Sequence, residues 1–342
     1  MISSERHTQP AGQSGTLCHL PRAAIARLLF AIAIVLPLTE PAVAQQHADN
    51  AASLVGTWLL ASAERLSPNG GAEPVRGARG VLFVDSVGHV FEFTEVPARG
   101  EWADGLTERQ RSMAQYGGFW GRYNVAGSNI EFEAAGGVSP DVRGIDFTRA
   151  FEFDGDRLVL VSGDEPQAQA DLRITWAPVP ALAGLSPAHS EVVGFWRHID
   201  ERRVNLTTGE TEEIRLRDPS LIVYAPSGYL GVHFPALDRE PFAAAMPSDD
   251  EAQTALRRYI GYFGALTVYP GNGDFPAEVA HNVLSGTSPS SGAILRRFAT
   301  VDGDKVVLTI MSGVRETEDG PQQYATTVHM ERLSGLEELL PR

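Results

Sequence analysis

Four segments of this chain return further along in the same order, and nothing else in the sequence restricts its fold so strongly. "LVGTW" (54–58) returns as "VVGFW" (192–196), an offset of 138 residues. "VLFVDSVGHVFEF" (81–93) matches "LIVYAPSGYLGVHF" (221–234), with Gly88 against Gly228. "QYGGFWGRYNV" (115–125) matches "RYIGYFGALTV" (258–268) at an offset of 143, and "RAFEFDGDRLVL" (149–160) matches "RFATVDGDKVVL" (297–308) at 148. Offsets that grow in one direction describe one unit copied twice, with short insertions in the second copy.

Both copies share an internal grammar. A glycine and tryptophan opening leads into strand-like alternation, a turn ("SVG" or "PSG") and another strand. A helix follows, started by a capping box: Thr107 with Gln110 in the first copy, Ser248 with Glu251 in the second. Gly118 and Gly261 are expected to end these helices, with the aromatic pairs Phe119–Trp120 and Tyr262–Phe263 packing each helix onto the barrel mouth. Strands punctuated by "DGD" turns (154–156 and 302–304) complete each unit. The expected fold is mainly β: two tandem antiparallel β-barrels of about eight short strands, each with one inserted helix. The barrels span 52–178 and 191–335. The joining linker is 179–190, within the proline-rich "APVPALAGLSPAHS".

The openings "LVGTW" and "VVGFW" resemble the glycine-x-tryptophan start of lipocalins. In the second copy "VVGFW", "LIVYAPSGYL", "RRYIGYFG", "EVAHNV" and "RRFATVDGDKVVL" together resemble the bacterial and fungal lipocalin-like domain family over nearly all of 192–310. The first copy lacks the histidine of "EVAHNV" and the tyrosine of "LIVYAPSGY". The resemblance implies a ligand-holding barrel and no single reaction.

Residues 1–44 read as a Sec-type signal peptide. Arg22 and Arg27 precede the apolar run "LLFAIAIVLPL" (28–38), and "AVA" (42–44) supplies a cleavage site after Ala44. The run is too short for a stable membrane anchor, so a periplasmic or secreted location is expected. The only cysteine, Cys18, falls inside this segment, so the mature chain has no disulfide, thiolate or cysteine metal site. The net charge of −15 and a single lysine, Lys305, exclude a basic nucleic-acid footprint. No G-x-S-x-G elbow, H-E-x-x-H or phosphate-cradling glycine loop occurs, and neither a metal nor another cofactor is expected.

Comparing the copies face by face singles out the second. In "HVFEF" a solvated Glu92 would turn His89, Phe91 and Phe93 into the barrel. Their counterparts are Tyr229, Gly231 and His233, so two phenylalanines give way to a hole and an imidazole. In the same way His281 replaces Phe132 on an inward face. The second barrel is therefore expected to hold the roomier, more polar pocket, and the first to be plugged. Tyr224 replaces Val84, with its direction undecided. Arg297 repeats Arg149, which suggests an architectural role closing the barrel base against Trp58 or Trp196 by cation–π contact.

The ligand-binding set is His233, His281, Tyr224, Tyr229, Tyr262 and Arg297, around a small hydrophobic molecule. A second reading is a cyclase or isomerase with His281 as the proton-transfer residue. A third is a structural module with both barrels filled.

Overall fold

In the computed structural model the described residues are 51–67, 70–97, 105–162, 172–215, 220–288, 291–317 and 320–336. The expected signal peptide and Cys18 lie outside them. In the first repeat the order is β1 (Gly56–Leu66), β2 (Ala72–Pro74), β3 (Arg79–Val84), β4 (His89–Glu95), α1 (Glu108–Ala114), β5 (Tyr116–Ala126), β6 (Asn129–Gly137), β7 (Asp146–Asp154), β8 (Arg157–Val161) and β9 (Leu172–Val179). Each strand pairs antiparallel with its neighbour, and β1 pairs with β9, so β1 and β3–β9 close an eight-stranded barrel with β2 added at an edge.

After α2 (Pro187–Val192) the second repeat runs β10 (Gly194–Asn205), β11 (Thr211–Arg215), β12 (Leu221–Tyr224), β13 (Tyr229–Pro235), α3 (Asp249–Arg257), β14 (Tyr259–Asn272), β15 (Phe275–Gly286), β16 (Ile294–Asp302), β17 (Lys305–Met311), a small hairpin of β18 (Arg315–Thr317) and β19 (Gly320–Gln322), and β20 (Tyr324–Arg332). Here β10 pairs with β20, closing β10, β12–β17 and β20 into the second eight-stranded barrel. Closure pairs the first strand of each barrel with its last, so among the described residues of these two sheets only the added strands β2 and β11 present an edge. The chain is thus two tandem antiparallel barrels with one helix inserted after the third strand of each.

Local signals explain the punctuation. Both capping boxes form: Thr107 and Ser248 cap their helices while Gln110 and Glu251 reach back to the cap backbone. The "DGD" turns carry Gly155 and Gly303 at positive φ, as a two-residue hairpin requires. The helices end earlier than expected, at Ala114 and Arg257, and the aromatic-glycine passages are themselves strands. Gly121 and Gly264 sit at equivalent β-bulges, where a Cβ would strike the backbone of the next strand.

All eight strands of each barrel contribute side chains to its interior. Trp58, Val90, Phe119, Phe132, Leu158 and Trp176 are among the side chains in the first, and Trp196, Val232, Tyr262, Val279, Leu308 and Met330 in the second. The indoles of Trp58 and Trp196 donate to the carbonyls of Leu54 (2.9 Å) and Val192 (2.7 Å), which ties the helical turn ahead of each first strand to the core.

A third apolar cluster draws on both repeats and docks the barrels. It contains Phe83, Phe91, Phe93 and Trp120 from the first, Val223, Tyr259 and Phe263 from the second, and buried residues of both α1 and α3. Here the expected orientations fail. His89, Phe91 and Phe93 point out of barrel 1, and Tyr229, Gly231 and His233 out of barrel 2, toward the partner barrel. The inner face of β4 carries Val90 and Glu92 instead, with Glu92 only 2% exposed. The second repeat's exchange of phenylalanines for Gly231 and His233 therefore opened space at the interface, not inside the barrel. Equivalent elements meet across it: β4 against β13 and α1 against α3, as in an isologous dimer. At the helix ends Thr107 donates to Asp249 (2.5 Å) and Gln110 to the Pro247 carbonyl (2.8 Å).

Candidate functional site

Matching ladders make the repeats comparable residue by residue. Glu92 lies opposite Leu82 and Phe119, as Val232 lies opposite Ile222 and Tyr262. Phe132 lies opposite Phe147, as His281 lies opposite Leu295, and Ile130 opposite Arg149, as Val279 opposite Arg297.

In barrel 1 the buried guanidinium of Arg149 is ion-paired to the Glu92 carboxylate, and its centre lies 5.4–5.6 Å from the rings of Phe119, Phe132 and Phe147. A paired, ring-covered cation inside a barrel is satisfied on every side. The expected stacking of this arginine on Trp58 is not what forms. At the barrel base Arg332 covers Trp196 at 4.2 Å and donates to the carbonyls of Val193 and Glu191.

Barrel 2 builds something different from the equivalent positions. Tyr224, whose direction the alternation left open, points inward, with its hydroxyl 2.8 Å from His281 Nε2. Tyr262, expected at the barrel mouth, also points inward, 2.9 Å from His281 Nδ1. Arg297 Nη2 donates to the Tyr262 hydroxyl at 3.3 Å. The four residues form one polar chain inside an apolar barrel, and His281 faces inward as its alternation with Val279 and Val283 predicts. Burial holds His281 neutral, well below the ordinary imidazole value, and the Arg297 charge pushes the same way. Burial also raises both tyrosines, so their hydroxyls stay protonated.

A neutral imidazole brings one N–H and the two phenols bring two O–H groups, but the two links of the chain use only two of those hydrogens. Whichever tautomer His281 adopts, one phenol hydrogen is left without an acceptor among the described residues. Arg297 Nη1 is likewise buried with no partner. An unmet buried donor of this kind costs about 1–3 kcal/mol.

His233 does other work. Its Nε2 lies 2.9 Å from the Glu92 carbonyl, which can only accept, so Nε2 carries the hydrogen and Nδ1 accepts from the Tyr259 hydroxyl. The ring stacks on Trp120, with centroids 5.3 Å apart, beside Phe91 and Phe93. Burial depresses it to about 3, with the Arg239 charge adding and the Glu92 hydrogen bond opposing. Tyr229 packs half-buried at the same junction. The structure thus groups Tyr224, Tyr262, His281 and Arg297, and places His233 and Tyr229 apart from them in the barrel junction. Sequence reasoning passed over Tyr259 and Arg332 and placed Glu92 in solvent, where the structure buries it inside barrel 1. Tyr259 repeats Tyr116, and both contribute to the junction, a recurrence visible in the sequence.

Among the described residues two cavities lie away from the polar chain. One, of about 510 Å³, lies along β5–β7 of barrel 1, edged by Arg122, Glu131, Glu133 and Asp146. The other, of about 290 Å³, lies between α3 and the segment Asp238–Phe242. Among the described residues no group of histidine and carboxylate side chains is arranged to hold a metal ion.

No family model matches the chain, and no curated protein matches it. Among solved structures it is similar to a DUF3598-family protein of unknown function from Nostoc punctiforme, at 11% identity over 82% of this chain and 97% of that one, with a TM-score of 0.21. It is also similar to a "putative outer membrane protein" from Bacteroides fragilis, at 11% identity over 83% of this chain and 99% of that one, with a TM-score of 0.22.

Proposed function

We propose that this is an exported, lipocalin-like double barrel that binds a small, largely apolar molecule in its second barrel. Tyr224, His281, Tyr262 and Arg297 orient the guest. The observation that supports this reading is the buried polar chain with more hydrogens than acceptors, set among apolar side chains that otherwise need no polar group. The repeat sharpens the point, because barrel 1 folds with Val84, Phe119 and Phe132 at the matching positions. A polar chain that the fold does not require is an orienting device. Barrel 1 serves as the scaffold on which barrel 2 is docked. A proton-transfer role asks His281 for a free nitrogen, and tyrosine hydroxyls hold both, so binding is the better-supported reading.

The test is native mass spectrometry of the protein purified from its own export compartment, joined to titration of the full chain with 1-aminoanthracene. Trp196 in the barrel 2 core serves as the fluorescence donor. A co-purifying small molecule and saturable transfer are expected, with His281→Phe weakening binding about tenfold through loss of an orienting hydrogen bond. Absence of both a bound mass and a saturable signal would overturn the reading.

A further inference from the structure

In barrel 1 the chain carries its own anion. Glu92 reaches across the interior to Arg149, and the three phenylalanine rings seal the pair. In barrel 2 the arginine is retained as Arg297, the carboxylate and two of the three phenylalanine rings are gone, and the Tyr262 hydroxyl, at the position of Phe119, accepts from Nη2 alone. Val232 stands where Glu92 stands, His281 and Leu295 replace Phe132 and Phe147, and among the described residues no carboxylate pairs with Arg297. Arg149 is 6% exposed, whereas Arg297 is only half-buried. The seal has been removed and the counter-charge deleted, but the cation remains.

A half-buried guanidinium with one buried N–H group lacking a partner among the described residues gains from an anion that reaches it. The group that fits is shown by the other repeat: a carboxylate, planar and monoanionic, which accepts two parallel N–H bonds from arginine. We infer that barrel 2 takes a ligand bearing a carboxylate, which lies against Arg297 where Glu92 lies against Arg149, with its apolar body directed into the barrel. Arg297 Nη1, now without a partner, donates to it. When His281 Nδ1 carries the imidazole hydrogen and donates to Tyr262, the Tyr262 hydroxyl is free to donate to the same carboxylate. The two unmet donors of the chain and the unmatched positive charge then have one common answer. This rests on the binding reading above and gives the ligand its chemical class.

The experiment compares dodecanoate, methyl dodecanoate and dodecanol by calorimetric titration of the full chain, in the wild type, Arg297→Gln and Val232→Glu. Dodecanoate should bind at least tenfold more tightly than the ester or the alcohol, and Arg297→Gln should bring its affinity down to theirs. Val232→Glu rebuilds the internal pair of barrel 1 and should block dodecanoate while raising the melting temperature. If that variant does not fold, the head-group series in the wild type and Arg297→Gln still decides. Equal affinity for acid and alcohol, or a preference that survives Arg297→Gln, overturns the carboxylate inference and leaves the binding function standing. Binding of none of the three probes, with no competition against 1-aminoanthracene, overturns both.

Discussion

Phe91 of the first barrel occupies the space that Gly231 of the second leaves open, although the two hold equivalent positions in their repeats. A Cβ built on Gly231 collides with the Phe91 ring and also meets Phe83 at 3.0 Å. Neither atom can retreat, because both rings are fully enclosed. Gly231→Ala should therefore destabilise the chain by roughly 1–3 kcal/mol through overpacking, read as a lower urea midpoint. Gly273→Ala, where a Cβ meets nothing within 4 Å, should leave the midpoint in place. Equal midpoints for the two variants would show that the junction yields.

Removing one half of the buried ion pair in barrel 1 leaves a charge in the core. Glu92→Gln should cost roughly 3–5 kcal/mol, measured by chemical denaturation, since both side chains are nearly inaccessible. A loss below about 1 kcal/mol would mean that the three phenylalanine rings alone suffice for Arg149.

The buried histidines set an acid limit. His233 is depressed from 6.5 to about 3, and His281 is also well below its ordinary value, both mainly by burial. The unfolded chain therefore takes up protons near pH 6.5 that the folded chain refuses. Stability is full above that pH and falls as the pH drops from about 6.5 toward 3, by up to about 1.4 kcal/mol per pH unit for each histidine. Asp85 adds to the trend at its lower end. Burial opposes its ionisation, yet hydrogen bonds from His89 and Gly88 leave its carboxyl below the ordinary value. Urea midpoints measured from pH 7 to pH 4 should show this slope, and His281→Phe should remove one proton's share. A flat profile would mean that the two imidazoles accept protons in the folded state.

Arg332 holds the base of barrel 2 by covering Trp196 and by bonding two carbonyls of the segment ahead of β10. Arg332→Ala should cost roughly 1–3 kcal/mol and redden Trp196 emission as the ring meets water. Arg332→Lys should recover only part of this, because a point charge lacks the planar fork. Full recovery by lysine would assign the effect to charge alone.

The duplication, the closed barrels, the capping boxes and the "DGD" turns were legible because each is written in a short local pattern. The inward side of β4 was not. A rule that places the glutamate of "HVFEF" in water assumes that one face of the strand is wet. Both faces of β4 are buried, one by its own barrel and the other by the neighbouring one. Glu92 is tolerated inside only because Arg149 arrives from 57 positions away, which no local pattern announces. On β15 the same alternation rule gave the right direction for His281, since Glu278 and Asn282 do reach solvent on the opposite side. Tyr224 needed tertiary information, as its strand is buried at all four positions.

The reciprocity at the barrel junction also dictates who can partner whom. Two copies of the first repeat brought together the same way would set phenylalanine 91 against its own duplicate, and two copies of the second would face a gap with no ring to fill it. Once one half had grown the knob and the other the notch, swapping like for like ceased to be tolerable. The fused halves are bound by shape as firmly as by peptide bonds, and severing the linker between them should yield fragments that recognise each other in preference to themselves.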